Sequence, residues 1–312
     1  MTNAFIFPGQ GSQAVGMGKA LADASPAARE VFQEVDDALG QKLSALMFDG
    51  PELDLTLTEN AQPAIMAVAM ATLRVLEREG NVRVADKAAF VAGHSLGEYS
   101  ALCAAGSLSL ADTARLLKLR GQAMQAAVPV GIGAMAALLG MDLAPAQAAA
   151  KQAAEGEICA VANDNAPGQA VLSGHKAAVE RAIELAKTGG AKRAILLPVS
   201  APFHCALMQP AADAMAEALA KAALRGPVVP LIANVTAGPV TEADEIRRLL
   251  VEQVTGMVRW RESVSAMTGL GVTRFVEFGG KVLGPMIKRI EPEAANVSLV
   301  SMADVEALLA TL

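Results

Sequence analysis

Ala88-Ala89-Phe90-Val91-Ala92-Gly93-His94-Ser95-Leu96-Gly97-Glu98-Tyr99-Ser100-Ala101-Leu102 reads as a strand, a sharp turn and a helix. The apolar run Ala88–Ala92 has strand length, and Leu96–Leu102 is helix-prone. Glycines at 93 and 97 let the backbone turn tightly without clashing, so the Ser95 hydroxyl projects into a cleft. The following helix aims its free N–H groups and positive dipole end at the same spot, where an oxyanion would form. Gly-x-Ser-x-Gly alone is a short pattern. Its strand and helix make it a nucleophile elbow rather than a Gly-rich turn with a solvated serine.

Outward from the elbow, strands and helices alternate. Ala4–Phe7 is an apolar strand ended by Pro8-Gly9, and Ser25-Pro26 caps a helix to Leu39. A long apolar helix runs from Gln62 to Glu79, and an amphipathic one from Leu110 to Ala126. The middle of the chain reads β-α-β-β-α-β: Ala134–Leu139, Pro145–Ala154, Ile158–Ala162, Gln169–Leu172, Lys176–Lys187 and Arg193–Leu197. That order is a ferredoxin-like unit. Gly131 and Gly133 on one side, and Pro198 to Pro202 on the other, mark hinges. Alternation then resumes with Leu207–Ala223, Leu231–Asn234, Ile246–Val254, Arg274–Phe278 and Lys281–Ile290. The expected fold class is therefore α/β, with a mostly parallel sheet covered by helices on both faces. Residues 1–128 and 200–312 would form the core, interrupted by a small ferredoxin-like domain at 129–199.

Composition narrows the function. The 312 residues are 53% hydrophobic and 19% charged, in keeping with a folded globular chain able to bury a sizeable core. The longest apolar run, Ala64–Leu73, is about half the roughly 20 residues of a membrane span. Met1-Thr2-Asn3 lacks a basic leader, so a cytoplasmic location and no membrane partner are expected. Cys103, Cys159 and Cys205 are scattered without a CxxC pair, which disfavours disulfides and a metal site. A net charge of −6 argues against nucleic acid, and requires any acidic partner to meet a local basic cluster.

A serine hydroxyl needs a base. Of three histidines, His94 adjoins Ser95 on the turn and His175 opens a polar helix, where it would be solvated. His204, in Ala201-Pro202-Phe203-His204, lies where the chain re-enters the core, and is the preferred base. No acid is placed by sequence to orient it, and a backbone carbonyl could serve instead. Cys205 lacks a turn to present it and reads as buried filler. Arg120, beside apolar residues and Gly121, suits a carboxylate held by two parallel hydrogen bonds; a solvated helix-face arginine is the alternative. Pro8-Gly9-Gln10-Gly11-Ser12-Gln13 can turn N–H groups toward an anion but lacks the ending of a nucleotide-binding P-loop.

Together these segments resemble the malonyl-CoA:acyl carrier protein transacylases of fatty-acid synthesis and the acyltransferase domains of polyketide synthases. The likeness runs through Phe7–Gln13, Gly93–Glu98, Arg120–Met124, Asn163–Gln169, His204–Met208, Gln253-Val254, Val258–Trp260 and Glu277–Gly279, nearly the whole chain in order. The resemblance implies Ser95 as nucleophile, His204 as base, and Gln253 orienting His204 through its main-chain carbonyl. It implies an oxyanion hole from the N–H groups of Gln10 and Leu96, Arg120 on the malonyl carboxylate, and Met124, Phe203 and Asn165 lining the acyl site. It also implies a hydrolase-like core. Phe203 departs from many stand-alone members, which carry a small Ser there; in polyketide acyltransferase domains Phe accompanies malonyl selection.

The implied reaction is ping-pong: Ser95 takes the malonyl group from malonyl-CoA, and the phosphopantetheine thiol of acyl carrier protein removes it. No cofactor or metal is called for, and a monomer is expected. A serine thioesterase or hydrolase sharing the elbow is the alternative activity, and a non-catalytic carrier-binding scaffold the third reading. Polyketide supply is the alternative pathway. For an acidic carrier protein, Lys281, Lys288 and Arg289 are the expected docking cations, the two lysines sharing a helix face two turns apart. Lys192-Arg193 is the next candidate.

Overall fold

The computed structural model describes residues 1–199 and 201–312. Its strands in chain order are β1 (Asn3–Phe7), β2 (Phe90–Gly93), β3 (Gly133–Leu139), β4 (Cys159–Ala166), β5 (Gln169–His175), β6 (Arg193–Leu196), β7 (Leu231–Ile232), β8 (Pro239–Val240), β9 (Arg274–Phe278) and β10 (Ala295–Leu299). Six form one sheet in the order β10-β9-β1-β2-β7-β8, parallel except for the β7–β8 edge pair. Central β1 is buried along its whole length, as the continuously apolar Phe5-Ile6-Phe7 requires of a parallel strand covered on both faces. Helices of the main core cluster pack one side, and Trp260, Val264, Met267 and Ile287 pack the other. The α/β reading with a mostly parallel sheet holds.

Strands β3–β6 form a second, antiparallel sheet in the order β4-β5-β3-β6, with the helices Leu143–Ala154 and Lys176–Thr188 against it. The two expected hinge segments touch. Gly133 sits against the Pro202 ring, and Val258 pairs with β4 through Val258 N to Ala162 O and Asp164 N to Val258 O. Arg261 ties the same place with an ion pair to buried Asp164. Ser200 of the second hinge segment lies outside the described residues.

Several expectations need correction. The long helix begins at Thr58, not Gln62, so Pro63 lies inside it near the N-terminus. The helix expected from Leu207 is a 3-10 turn, Ala206–Met208, followed by Gln209–Lys221 with Pro210 in its first turn. The strand expected to reach Asn234 stops at Ile232. The helix expected from Lys281 begins at Gly284, because the Glu277 carboxylate accepts from the N–H groups of Val282, Leu283 and Gly284 and fixes the preceding loop. Lys281 is therefore off the helix and shares no helix face with Lys288. The helices Trp260–Gly269 and Met302–Leu309 and strand β10 were not anticipated. Among the described residues no helix is long and apolar enough to cross a membrane.

Candidate active site

The elbow forms where β2 ends. A Cβ on Gly93 would lie 1.9 Å from the Gly97 carbonyl, and one on Gly97 would lie 2.2 Å from Phe7 O. Close approach of backbones, more than unusual dihedrals, demands both glycines. Ser95 itself takes the left-handed conformation at φ 55°. The strained turn is stapled from outside: Asn234 Oδ1 accepts the Ser95 N–H at 2.8 Å, and its amide nitrogen donates to Gly93 O at 2.7 Å. The loop after β1 lies against the elbow, since a Cβ on Gly9 would meet His94 O at 2.7 Å.

Ser95 Oγ and His204 Nε2 are 2.7 Å apart. His204 Nδ1 stands 2.8 Å from Gln253 O. A carbonyl only accepts, so Nδ1 carries the proton and Nε2 presents its lone pair to the hydroxyl. Gln253 falls in the last turn of the helix Ala243–Thr255, where carbonyls lack intrahelical partners and the dipole is negative. That carbonyl takes the place of the missing acid. Burial, with Arg120 nearby, pushes the imidazole down to about 3, so His204 is neutral at physiological pH. His204 is also left-handed, φ 58°, and such backbone strain clusters at functional sites.

Arg120 is 1% exposed, which excludes the solvated reading. Its guanidinium donates to Gln62 Oε1 and Gln253 Oε1, each at 2.8 Å, and to Ser95 Oγ at 3.2 Å, with the Tyr99 ring centroid 5.7 Å away. All three oxygen partners are neutral, and no ion pair to Arg120 forms among the described residues. Burial lowers its pKa, offset in part by Tyr99 and Glu98. A buried cation without an ion pair, beside a nucleophile, has the chemistry to receive a carboxylate.

These groups open onto a cavity of about 450 Å³ whose walls include Gln10, Leu96, Met124, Asn165 and Phe203. The backbone N–H groups of Gln10 and Leu96 have no partner among the described residues. Asn165 Oδ1 meets His94 Nε2 at 2.8 Å, and the His94 ring lies against Trp260. Val282, Leu283 and Met286 complete the wall nearest Lys281. Lys281, Lys288 and Arg289 do not line the cavity; Lys288 is engaged with Pro292 O. His175, expected to be solvated, accepts the Ile158 N–H at its Nδ1. Cys205 is buried, its thiol pushed up by burial and donating to Pro202 O, and takes no part.

Sequence reasoning missed Gln62, Glu98, Asn234 and the Gln253 side chain. Gln62, polar in a buried apolar run before Pro63, carried a signal. Glu98 passes for an ordinary acid in a helix first turn.

The acyl transferase domain model matches residues 4–279. The malonyl CoA-acyl carrier protein transacylase of Bacillus subtilis strain 168 is 46% identical over 311 residues, 99% of this chain and 96% of that protein. The crystal structure of an acyl-carrier-protein S-malonyltransferase from Bartonella henselae superposes with a TM-score of 0.98 at 54% identity, covering 100% of this chain and 99% of that one. A malonyl-transacylase solved in complex with its type II polyketide synthase acyl carrier protein gives 0.96 at 42%, covering 100% of both chains. The chain belongs to the acyl transferase domain family.

Proposed function

We propose that this protein transfers a malonyl group from malonyl-CoA to the phosphopantetheine thiol of acyl carrier protein, through a malonyl-Ser95 intermediate. The observation that carries the reading is the buried Arg120 guanidinium, which forms no ion pair among the described residues and lies 3.2 Å from Ser95 Oγ. It gives the pocket a reason to select an acyl group with a free carboxylate. Relatives named malonyl CoA-acyl carrier protein transacylase, at 46–48% identity, support the same substrates.

In the first half-reaction His204 Nε2 takes the Ser95 proton as Oγ attacks the thioester carbonyl. The N–H groups of Gln10 and Leu96 receive the oxyanion. Collapse breaks the C–S bond, and the proton on His204 passes to the departing CoA sulfur. A thiol leaves readily, and the Gln253 carbonyl at a helix C-terminus supports the transient imidazolium. In the second half-reaction His204 deprotonates the carrier thiol, which attacks malonyl-Ser95 and restores the hydroxyl. Arg120 holds the malonyl carboxylate throughout, with Met124, Phe203 and Asn165 shaping the remaining space.

The fold is read as a hydrolase-like core, residues 1–128 and 200–312, with a ferredoxin-like insert at 129–199. Support comes from the β-α-β-β-α-β order and the antiparallel β4-β5-β3-β6 arrangement. The enzyme is placed in the cytoplasm, as a monomer, needing no cofactor or metal. Docking of the acidic carrier is assigned to Lys281, Lys288 and Arg289 without the shared helix face. Supply of fatty-acid synthesis is the favoured pathway. CoA release from malonyl-CoA, followed with and without acyl carrier protein, tests the activity. Carrier-dependent release is expected; carrier-independent release marks a hydrolase, and none marks a scaffold.

A further inference from the structure

The Gln253 side chain is polarised by its surroundings. Its nitrogen faces Glu98 Oε2 at 2.8 Å, Ser95 O at 2.9 Å and, at the limit of contact, Asn234 Oδ1 at 3.4 Å. Its oxygen faces the Arg120 donor at 2.8 Å. Acceptors on one end and a donor on the other leave only one orientation of the amide that satisfies them all. Ser95 O alone can occupy one of its two N–H hydrogens, and Glu98 is the partner for the second. Glu98 Oε2 also accepts the backbone N–H of Asn234, the residue that staples the elbow. Glu98 is 1% exposed, sits one turn after the nucleophile, and has no part in the transfer chemistry itself.

We propose that Glu98 is a positioning residue: its buried carboxyl oxygen fixes the Gln253 amide, and through that amide holds Arg120 where the acyl carboxylate arrives. The proposal deepens the transacylase reading and rests on it. The role belongs to the acceptor oxygen, which the Gln253 amide and the Asn234 N–H both face; burial pushes the Glu98 carboxyl up to about 7. The backbone carbonyl of Gln253, which orients His204, is fixed by its helix and needs no help from Glu98. Loss of Glu98 therefore acts on carboxylate recognition more than on the Ser95–His204 pair.

The experiment compares rates of Ser95 acylation by malonyl-CoA and acetyl-CoA, followed by rapid quench and intact-protein mass spectrometry, in wild type, Glu98→Met and Glu98→Gln. Acetyl-CoA has no carboxylate and reports on the nucleophile alone. Glu98→Met removes the acceptor shared by the Gln253 amide and the Asn234 N–H, so kcat/KM for malonyl-CoA should fall about 10-fold or more relative to that for acetyl-CoA, mostly in KM. Glu98→Gln can present an oxygen to both donors and should restore the malonyl preference to within about 3-fold of wild type. Should Glu98→Met fail to fold by circular dichroism, Glu98→Asp withdraws the oxygen by one methylene and should show the same selective loss. Equal losses on both substrates, no loss, or a Glu98→Gln protein as impaired as Glu98→Met overturns the assignment. A wild type that forms no malonyl adduct overturns the transacylase reading and this proposal with it; a wild type that does isolates the failure to Glu98.

Discussion

Replacing Arg120 by Met separates a substrate-binding cation from a structural one. In the free enzyme the guanidinium is 1% exposed and donates only to neutral oxygens. Keeping it there costs several kcal/mol of desolvation that no ion pair returns. Arg120→Met relieves that cost but strands the carbonyl oxygens of Gln62 and Gln253, at about 1–3 kcal/mol each. The two effects nearly cancel, so Tm should change by no more than a few degrees. Activity does not cancel. A malonyl carboxylate paired with this desolvated cation loses about 2–5 kcal/mol when the cation goes. At about 1.4 kcal/mol per tenfold, kcat/KM for malonyl-CoA should fall roughly 30- to 4,000-fold. Acetyl-CoA, which offers no carboxylate, should lose far less. The assay is stopped-flow CoA release on both thioesters beside a calorimetric melt. Equal losses on the two substrates, or a Tm fall of more than about 10 °C, would make Arg120 a structural residue.

Phe203 lines the cavity beside His204, and Phe203→Ser should relax discrimination against methylmalonyl-CoA by opening space next to the acyl carbon; an unchanged malonyl-to-methylmalonyl ratio in competition assays speaks against it. The buried site also sets the pH response. His204, held down to about 3, remains a neutral base as pH falls from 7.5 to 5, so the pH profile of acylation should show no loss centred near the ordinary histidine value of 6.5. Stability follows the same groups with opposite signs. The depressed His204 loses stability as pH falls below 6.5, whereas Glu98, raised from 4.5 to about 7, loses it as pH rises through that window. The two largely cancel in wild type, and Glu98→Gln should therefore melt at progressively lower temperature as pH drops from 6.5 toward 4.5. Reversing Lys281 and Lys288 to Glu should raise KM for acyl carrier protein, most at low salt, and leave Ser95 acylation by malonyl-CoA unaltered. Wild-type carrier kinetics in low salt would move the docking surface elsewhere, with Lys192-Arg193 the next pair to reverse.

What the sequence disclosed was set by local physics. The elbow was readable because Gly93 and Gly97 must lack side chains for β2, the turn and β1 to approach so closely. The alternation of strand and helix gave the parallel sheet, since runs such as Phe5-Ile6-Phe7 are buried on both faces. What stayed hidden was fixed by distant contacts. Asn234 meets Ser95 across 139 positions and Gln253 meets Glu98 across 155, and no spacing rule links them. Asn163-Asp164-Asn165 lies in β4 despite its polarity, because Val258 and Arg261 come from the other sheet's helices and loops to satisfy it. The Lys281 helix start was misplaced because the capping carboxylate, Glu277, lies back in β9.

The most direct measurement is the mass of the intact protein after brief exposure to malonyl-CoA, followed by mapping of the modified peptide. One malonyl group is expected, on the peptide carrying Ser95. It should be absent from a Ser95→Ala protein that melts like wild type, and be cleared when phosphopantetheinylated acyl carrier protein is added. A full-strength adduct on Ser95→Ala, or an adduct on Ser95 that the carrier protein cannot remove, would contradict that expectation.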